Sequence, residues 1–139
     1  MRIEKIDHVA LLVKDIEKAE KFFADLFETK FAALGEIKEM DVTSMIEPSG
    51  IEIIQPLSLD GISARTMKNR GEGLSLLSLK VLDLDEAMAE MKSRGIRLTQ
   101  KFELGSAKVA LFHPKDTYGV FIELIEYKEK HPAVIAVVE

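Results

Sequence analysis

The chain has 139 residues, the size of one domain, and is long enough to bury a real core. It has no cysteine, which excludes disulfides, thiolate zinc sites and cysteine nucleophiles. Its 19 Lys and Arg against 24 Asp and Glu leave a net charge of −5, a poor match to nucleic acid or an anionic membrane surface. No apolar run approaches the ~20 residues of a membrane span, and Met1–Lys5 lacks the apolar stretch of a signal peptide. The expectation is a cytoplasmic globular protein.

The first element is an apolar strand over His8–Val13. Asp15 then supplies an N-cap, because its carboxylate can accept from the free N–H groups of a first helical turn. The helix that follows is amphipathic and should bury Ile16, Ala19, Phe22, Phe23 and Leu26. Strands are expected near Val42–Ile46 and Ile51–Gln55, with Pro48-Ser49-Gly50 as the turn between them. Residues 59–73 join this half to the next, with a short helix at Ser63–Asn69. In the second half a strand runs up to Asp83, a second N-cap. The helix after it should bury Leu84, Ala87, Met88 and Met91 and end at Gly95. Strands at Lys108–His113 and Val120–Tyr127 flank a turn at Pro114–Tyr118. The tail, 128–139, starts charged and becomes apolar at Val134–Val138, a pattern suited to packing on a partner subunit or back on the domain.

The two halves repeat one another. Val13-Lys14-Asp15-Ile16-Glu17-Lys18-Ala19 matches Val81-Leu82-Asp83-Leu84-Asp85-Glu86-Ala87 at an offset of 68. Ile51-Glu52-Ile53-Ile54-Gln55 matches Ile122-Glu123-Leu124-Ile125-Glu126 at an offset of 71. The reading is an α+β fold of two tandem βαβββ modules, 3–58 and 74–127, that pair into an incomplete barrel around a cleft.

Within this frame three residues stand out. Glu52 and Glu123 occupy equivalent places in otherwise apolar strands, where a carboxylate is costly to bury unless paired or bound to a cation. His8 opens the first strand, and nitrogen and oxygen donors together suit Mn, Co, Fe, Ni or Zn. The position 68 residues after His8 holds Leu76, which cannot ligate. Three protein ligands and one open position form a recognised catalytic arrangement. The competing readings are a hydrogen-bonded histidine and glutamates on a solvated sheet face. Lys115, in the turn, can pair with a phosphate or carboxylate, or simply serve the turn.

Ile6-Asp7-His8-Val9-Ala10, Ile51–Leu57, Gly71-Glu72-Gly73-Leu74 and Phe112–Glu126 together resemble the vicinal oxygen chelate (glyoxalase/bleomycin-resistance) superfamily, and within it the methylmalonyl-CoA epimerases. The most epimerase-like piece is His113-Pro114-Lys115-Asp116 followed by Gly119-Val120 and Ile122-Glu123-Leu124. The resemblance implies a divalent metal (Co, Mn, Ni, Zn or Mg) at His8, Glu52 and Glu123, with Leu76 where the family places a histidine. It implies Glu123 as ligand and catalytic base, with Lys115, Thr117, Tyr118 and Leu76 against the substrate. The activity it implies is metal-assisted proton abstraction next to a thioester carbonyl, on a small molecule such as an acyl-CoA, by a homodimer. Two alternatives stand beside it. One is a metal-free small-molecule-binding or lapsed homologue, which Leu76 fits directly. The other is a different lyase or a dioxygenase-related protein.

Overall fold

The computed structural model describes residues 1–128; the apolar segment of the tail, Val134–Val138, lies outside them. The chain begins with β1 (Ile3–Leu12), which starts five residues earlier than the sequence pattern suggests. Its first residues are exposed, Ile3 and Ile6 among them, so burial periodicity does not announce them. His8 therefore sits in mid-strand. After β1 come α1 (Ile16–Leu26), β2 (Ala32–Ile37), β3 (Val42–Ile46), β4 (Ile51–Pro56) and α2 (Ile62–Arg70). The second set is β5 (Gly73–Val81), α3 (Leu84–Ser93), β6 (Leu98–Leu104), β7 (Ala107–Phe112) and β8 (Phe121–Glu126). A single 3-10 turn, Pro114–Asp116, precedes β8.

Two compact units divide the chain. One gathers Ala10–Leu74. Its strands run β2-β3-β4 and then the C-terminal part of β1, with β3 antiparallel to both β2 and β4. The other gathers Met1–Val9 and, among the described residues, Ser75–Lys128. Its order is the N-terminal part of β1, then β5-β8-β7-β6, with β5 and β8 parallel and the rest of β8-β7-β6 antiparallel. Each βαβββ set thus places its first strand beside its last.

The helices start in the same way in both halves. The Asp15 carboxylate accepts from Lys18 N at 3.1 Å, and Asp83 from Glu86 N at 3.0 Å. A second acceptor arrives from the last strand of each set. Gln55 Oε1 takes the Ile16 N–H at 2.8 Å, and Glu126 Oε1 takes the Leu84 N–H at 2.9 Å. Two of the otherwise unpaired N–H groups of each first turn are thereby satisfied. Gly95, at φ 75°, ends α3 in the left-handed conformation that glycine tolerates.

Helix α3 buries Leu84, Ala87 and Met91 against Val81, Ala110, Phe112 and Leu124, with Met88 partly buried beside them. Helix α1 presents Ile16, with Ala19, Phe23 and Ala24 partly buried, to Val13, Phe31 and Ile53. Phe22 and Leu26 depart from expectation, being 57% and 58% exposed. Phe22 stands about 100° round the helix from Phe23 and so faces away from the sheet. Leu26 is the last helical residue. Strands β2 and β6 were not located from the sequence. β2 carries a register shift between Ala33 and Gly35, and β6 alternates only weakly in burial.

Candidate active site

Cross-strand register places Glu123 among defined neighbours. β5 and β8 pair Leu76 with Phe121 and Ser78 with Glu123, and β7 places Leu111 opposite Glu123. Residues in register share a face of the sheet. Glu123 therefore projects from the face that carries Leu76, Ser78, Leu111 and Phe121, opposite the face covered by α3. It is 4% exposed, and the Ser78 hydroxyl donates to its Oε1 at 2.8 Å.

His8, 5% exposed, brings its Nε2 to 3.4 Å from the same Glu123 oxygen. Its other ring nitrogen, Nδ1, lies 2.6 Å from Asp7 Oδ2. The remaining Asp7 oxygen accepts from the Tyr127 hydroxyl at 2.5 Å. Burial first, then this hydrogen bond and the Asp7 charge, push the Tyr127 phenol well above its ordinary pKa. Neither Asp7 nor Tyr127 was singled out by sequence reasoning. Asp7 carried a signal, since it abuts His8. Tyr127 carried none, being 120 residues from its partner.

In the other unit Glu52 is also buried, and its Oε2 accepts from the Ser44 hydroxyl at 2.5 Å. It shares its sheet face with Ile54, Ser44 and Ile46. Glu47 is a third buried carboxylate, unnoticed in the sequence. It accepts from Thr29 Oγ1, from the Ser49 hydroxyl and from the backbone N–H groups of Ser49 and Ile51, and so ties the β3–β4 turn. Burial works to raise its pKa, but these hydrogen bonds prevail and hold it below the usual value.

The turn before β8 carries Lys115, Thr117 and Tyr118. Lys115 is exposed, and its backbone N–H donates to His113 Nδ1 at 3.1 Å. Thr117 Oγ1 donates to Val120 O at 2.7 Å. Tyr118 is fully exposed at φ 60°, an unusual backbone conformation for an aromatic residue. Asp116 clamps the turn through a two-pronged pair with Arg97, at 2.8 and 3.1 Å. That guanidinium holds the Asp116 carboxyl down at about 2.

Two features bear on a divalent ion. His8 Nε2 and Glu123 Oε1 stand 3.4 Å apart. Two donors each about 2.1 Å from one ion would be separated by about 3.0–3.4 Å. Asp7 on the far ring nitrogen is the kind of outer partner that orients a ligating histidine. This pair fits a divalent ion. Among the described residues no group of three or more His, Cys, Asp or Glu is drawn together into a metal site. Leu76, 3% exposed, contributes no donor.

Residues 7–111 match the glyoxalase/bleomycin resistance protein/dioxygenase superfamily. The chain belongs to this superfamily. It is 28% identical over 130 residues to mitochondrial methylmalonyl-CoA epimerase of Mus musculus, covering 88% of this chain and 73% of that one. The Homo sapiens enzyme is likewise 28% identical, over 86% of this chain and 72% of its own. Among solved structures, methylmalonyl-CoA epimerase from Mycobacterium tuberculosis superposes with a TM-score of 0.79 at 25% identity, over 91% of this chain and 90% of that one. The α+β fold of tandem βαβββ modules matches that epimerase structure.

Proposed function

We propose that this protein is a methylmalonyl-CoA epimerase-like isomerase that exchanges the proton next to the thioester carbonyl of a small acyl-CoA. The observation that carries the reading is the buried Glu123 carboxylate, aligned by Ser78 and set beside His8. Similarity to epimerases supports the substrate class. In this reading the Glu123 carboxylate takes the α-proton. The electron pair of the broken C–H bond moves onto the thioester oxygen as an enolate. Return of a proton from solvent water to the opposite face inverts the centre, and Glu123 gives the abstracted proton back to solvent. Glu123 works from a water-poor sheet face, where the Ser78 hydroxyl holds its Oε1 in place. His8 is held by Asp7 and presents Nε2 to the same place. Lys115, Thr117 and Tyr118 form the turn proposed to meet the coenzyme A part, with Lys115 as the phosphate partner. A divalent ion, held by His8 and Glu123, would supply Lewis-acid stabilisation of the enolate. The homodimer implied by the resemblance belongs to the same proposal.

The buried Leu76 favours a second reading, a metal-free protein that binds a small molecule. The deciding experiment follows deuterium uptake into methylmalonyl-CoA and related thioesters in D2O, alongside the metal content of the purified protein. Stoichiometric metal and exchange that both disappear in Glu123→Gln support the isomerase. Metal-free protein without exchange, with or without added Mn, Co, Ni, Zn or Mg, removes the isomerase reading in favour of the second.

A further inference from the structure

Tyr127, Asp7, His8 and Glu123 form a continuous chain of side chains within one unit. The Tyr127 hydroxyl stands 2.5 Å from Asp7 Oδ1, Asp7 Oδ2 lies 2.6 Å from His8 Nδ1, and His8 Nε2 lies 3.4 Å from Glu123 Oε1. The Tyr127 ring is held by its neighbours. It packs with Ala107, Val109 and Ile125, and the Lys80 ammonium sits 4.3 Å from its centroid while paired with Glu4 at 3.0 Å. The hydroxyl can therefore act as a rigid donor rather than a swinging one.

The direction of the hydrogen bonds follows from the donor inventory. A carboxylate only accepts. With the Tyr127 proton directed at one Asp7 oxygen, the other oxygen calls for a proton on His8 Nδ1. We infer that Tyr127 is a positioning residue which, through Asp7, locks the proton of His8 on Nδ1 and keeps Nε2 aimed at Glu123. Its hydroxyl acts through the Asp7 carboxylate. An asparagine at position 7 could instead turn its amide N–H toward Nδ1 and select the opposite tautomer. The tautomer assignment stands on this geometry alone; its consequence for turnover rests on the isomerase reading.

The test uses nitrogen NMR of the full chain with His113 and His131 changed to Gln, so that His8 is the only imidazole. In this background Nδ1 should be the protonated type, with a slowly exchanging Nδ1–H resonance. Tyr127→Phe should retain the fold by thermal melting but speed Nδ1–H exchange by about tenfold or more. Asp7→Asn should move the proton to Nε2. If the isomerase reading holds, both variants lower kcat, by about 10–100-fold for Asp7→Asn, with KM nearly unchanged. A wild-type-like His8 with an unprotonated Nδ1 overturns the inference outright, whichever variants fold. So does a Tyr127→Phe protein whose His8 spectrum and exchange match the parent. Lack of isomerase activity in the parent, with the expected spectra, would remove the isomerase reading and leave the tautomer lock intact.

Discussion

Glu123 keeps its neighbours through strand register rather than through its charge, so its chemistry can be removed without removing the strand. Glu123→Gln preserves shape and can still accept from Ser78. Proton exchange should fall by about 10²–10⁴-fold while the melting temperature shifts by only a few degrees, as read by calorimetry. Leu76 offers the complementary experiment. It shares a sheet face with Glu123 and is buried, so an imidazole there would be close to unsolvated. Leu76→His should lower stability in metal-free buffer, because a polar ring replaces a packed apolar one. It should also bind Mn, Co or Zn at least about tenfold more tightly than wild type by titration calorimetry, since a further donor joins the site. Unchanged affinity would place the ion, or the whole chemistry, elsewhere.

At the scale of elements, α1 and α3 are attached at their starts by an aspartate of the loop and a polar side chain of the last strand. Asp83→Ala removes one of the two acceptors at α3 and should cost about 1 kcal/mol in urea unfolding, with little change in the slope. The turns carry the pH dependence. Glu47 has a depressed pKa, so its contribution is fully present above the usual glutamate value and is lost as the pH falls through the lower, folded value. Glu47→Gln should destabilise the protein at pH 7 and narrow its difference from wild type at acid pH. Asp116 obeys the same sign. Its pair with Arg97 holds above the ordinary 3.8 and is lost as the pH falls toward about 2, so neutral-pH assays leave this clamp intact. A pH titration of wild type and Glu47→Gln by thermal melting checks the sign, and convergence of the two curves on the alkaline side would contradict it.

For the whole molecule, any ion bound only by the folded chain must raise its stability. At a free metal concentration of about 100 times Kd the gain is about 2.7 kcal/mol, enough to move a melting curve of this size by several degrees. On the proposed metal-assisted reading, wild type should show the shift with one of Mn, Co, Ni, Zn or Mg, and Glu123→Gln should lose most of it. The duplication was readable because it preserved what each module needs locally. Asp15 and Asp83 recur as caps, and Ile51–Gln55 and Ile122–Glu126 recur as last strands. Gln55 and Glu126 were visible as matched positions, yet their task at the helix starts was not, since each reaches a residue about 40 places away in the chain.

The sequence by itself determined the modules, the helix caps, the two anomalous glutamates, His8 and the missing donor at Leu76. These are local matters of periodicity, capping and residue chemistry, and they survive in one dimension. Strand register and long-range pairing decided the remainder. Exposure of Phe22 and Leu26 depends on which face of α1 meets the sheet and on where the helix stops. The role of Glu47 depends on a turn folding back on its own backbone. Tyr127 meets Asp7 only because the N-terminal part of β1 and the chain after β8 belong to one packed unit, and no periodicity in the chain encodes a contact across 120 residues.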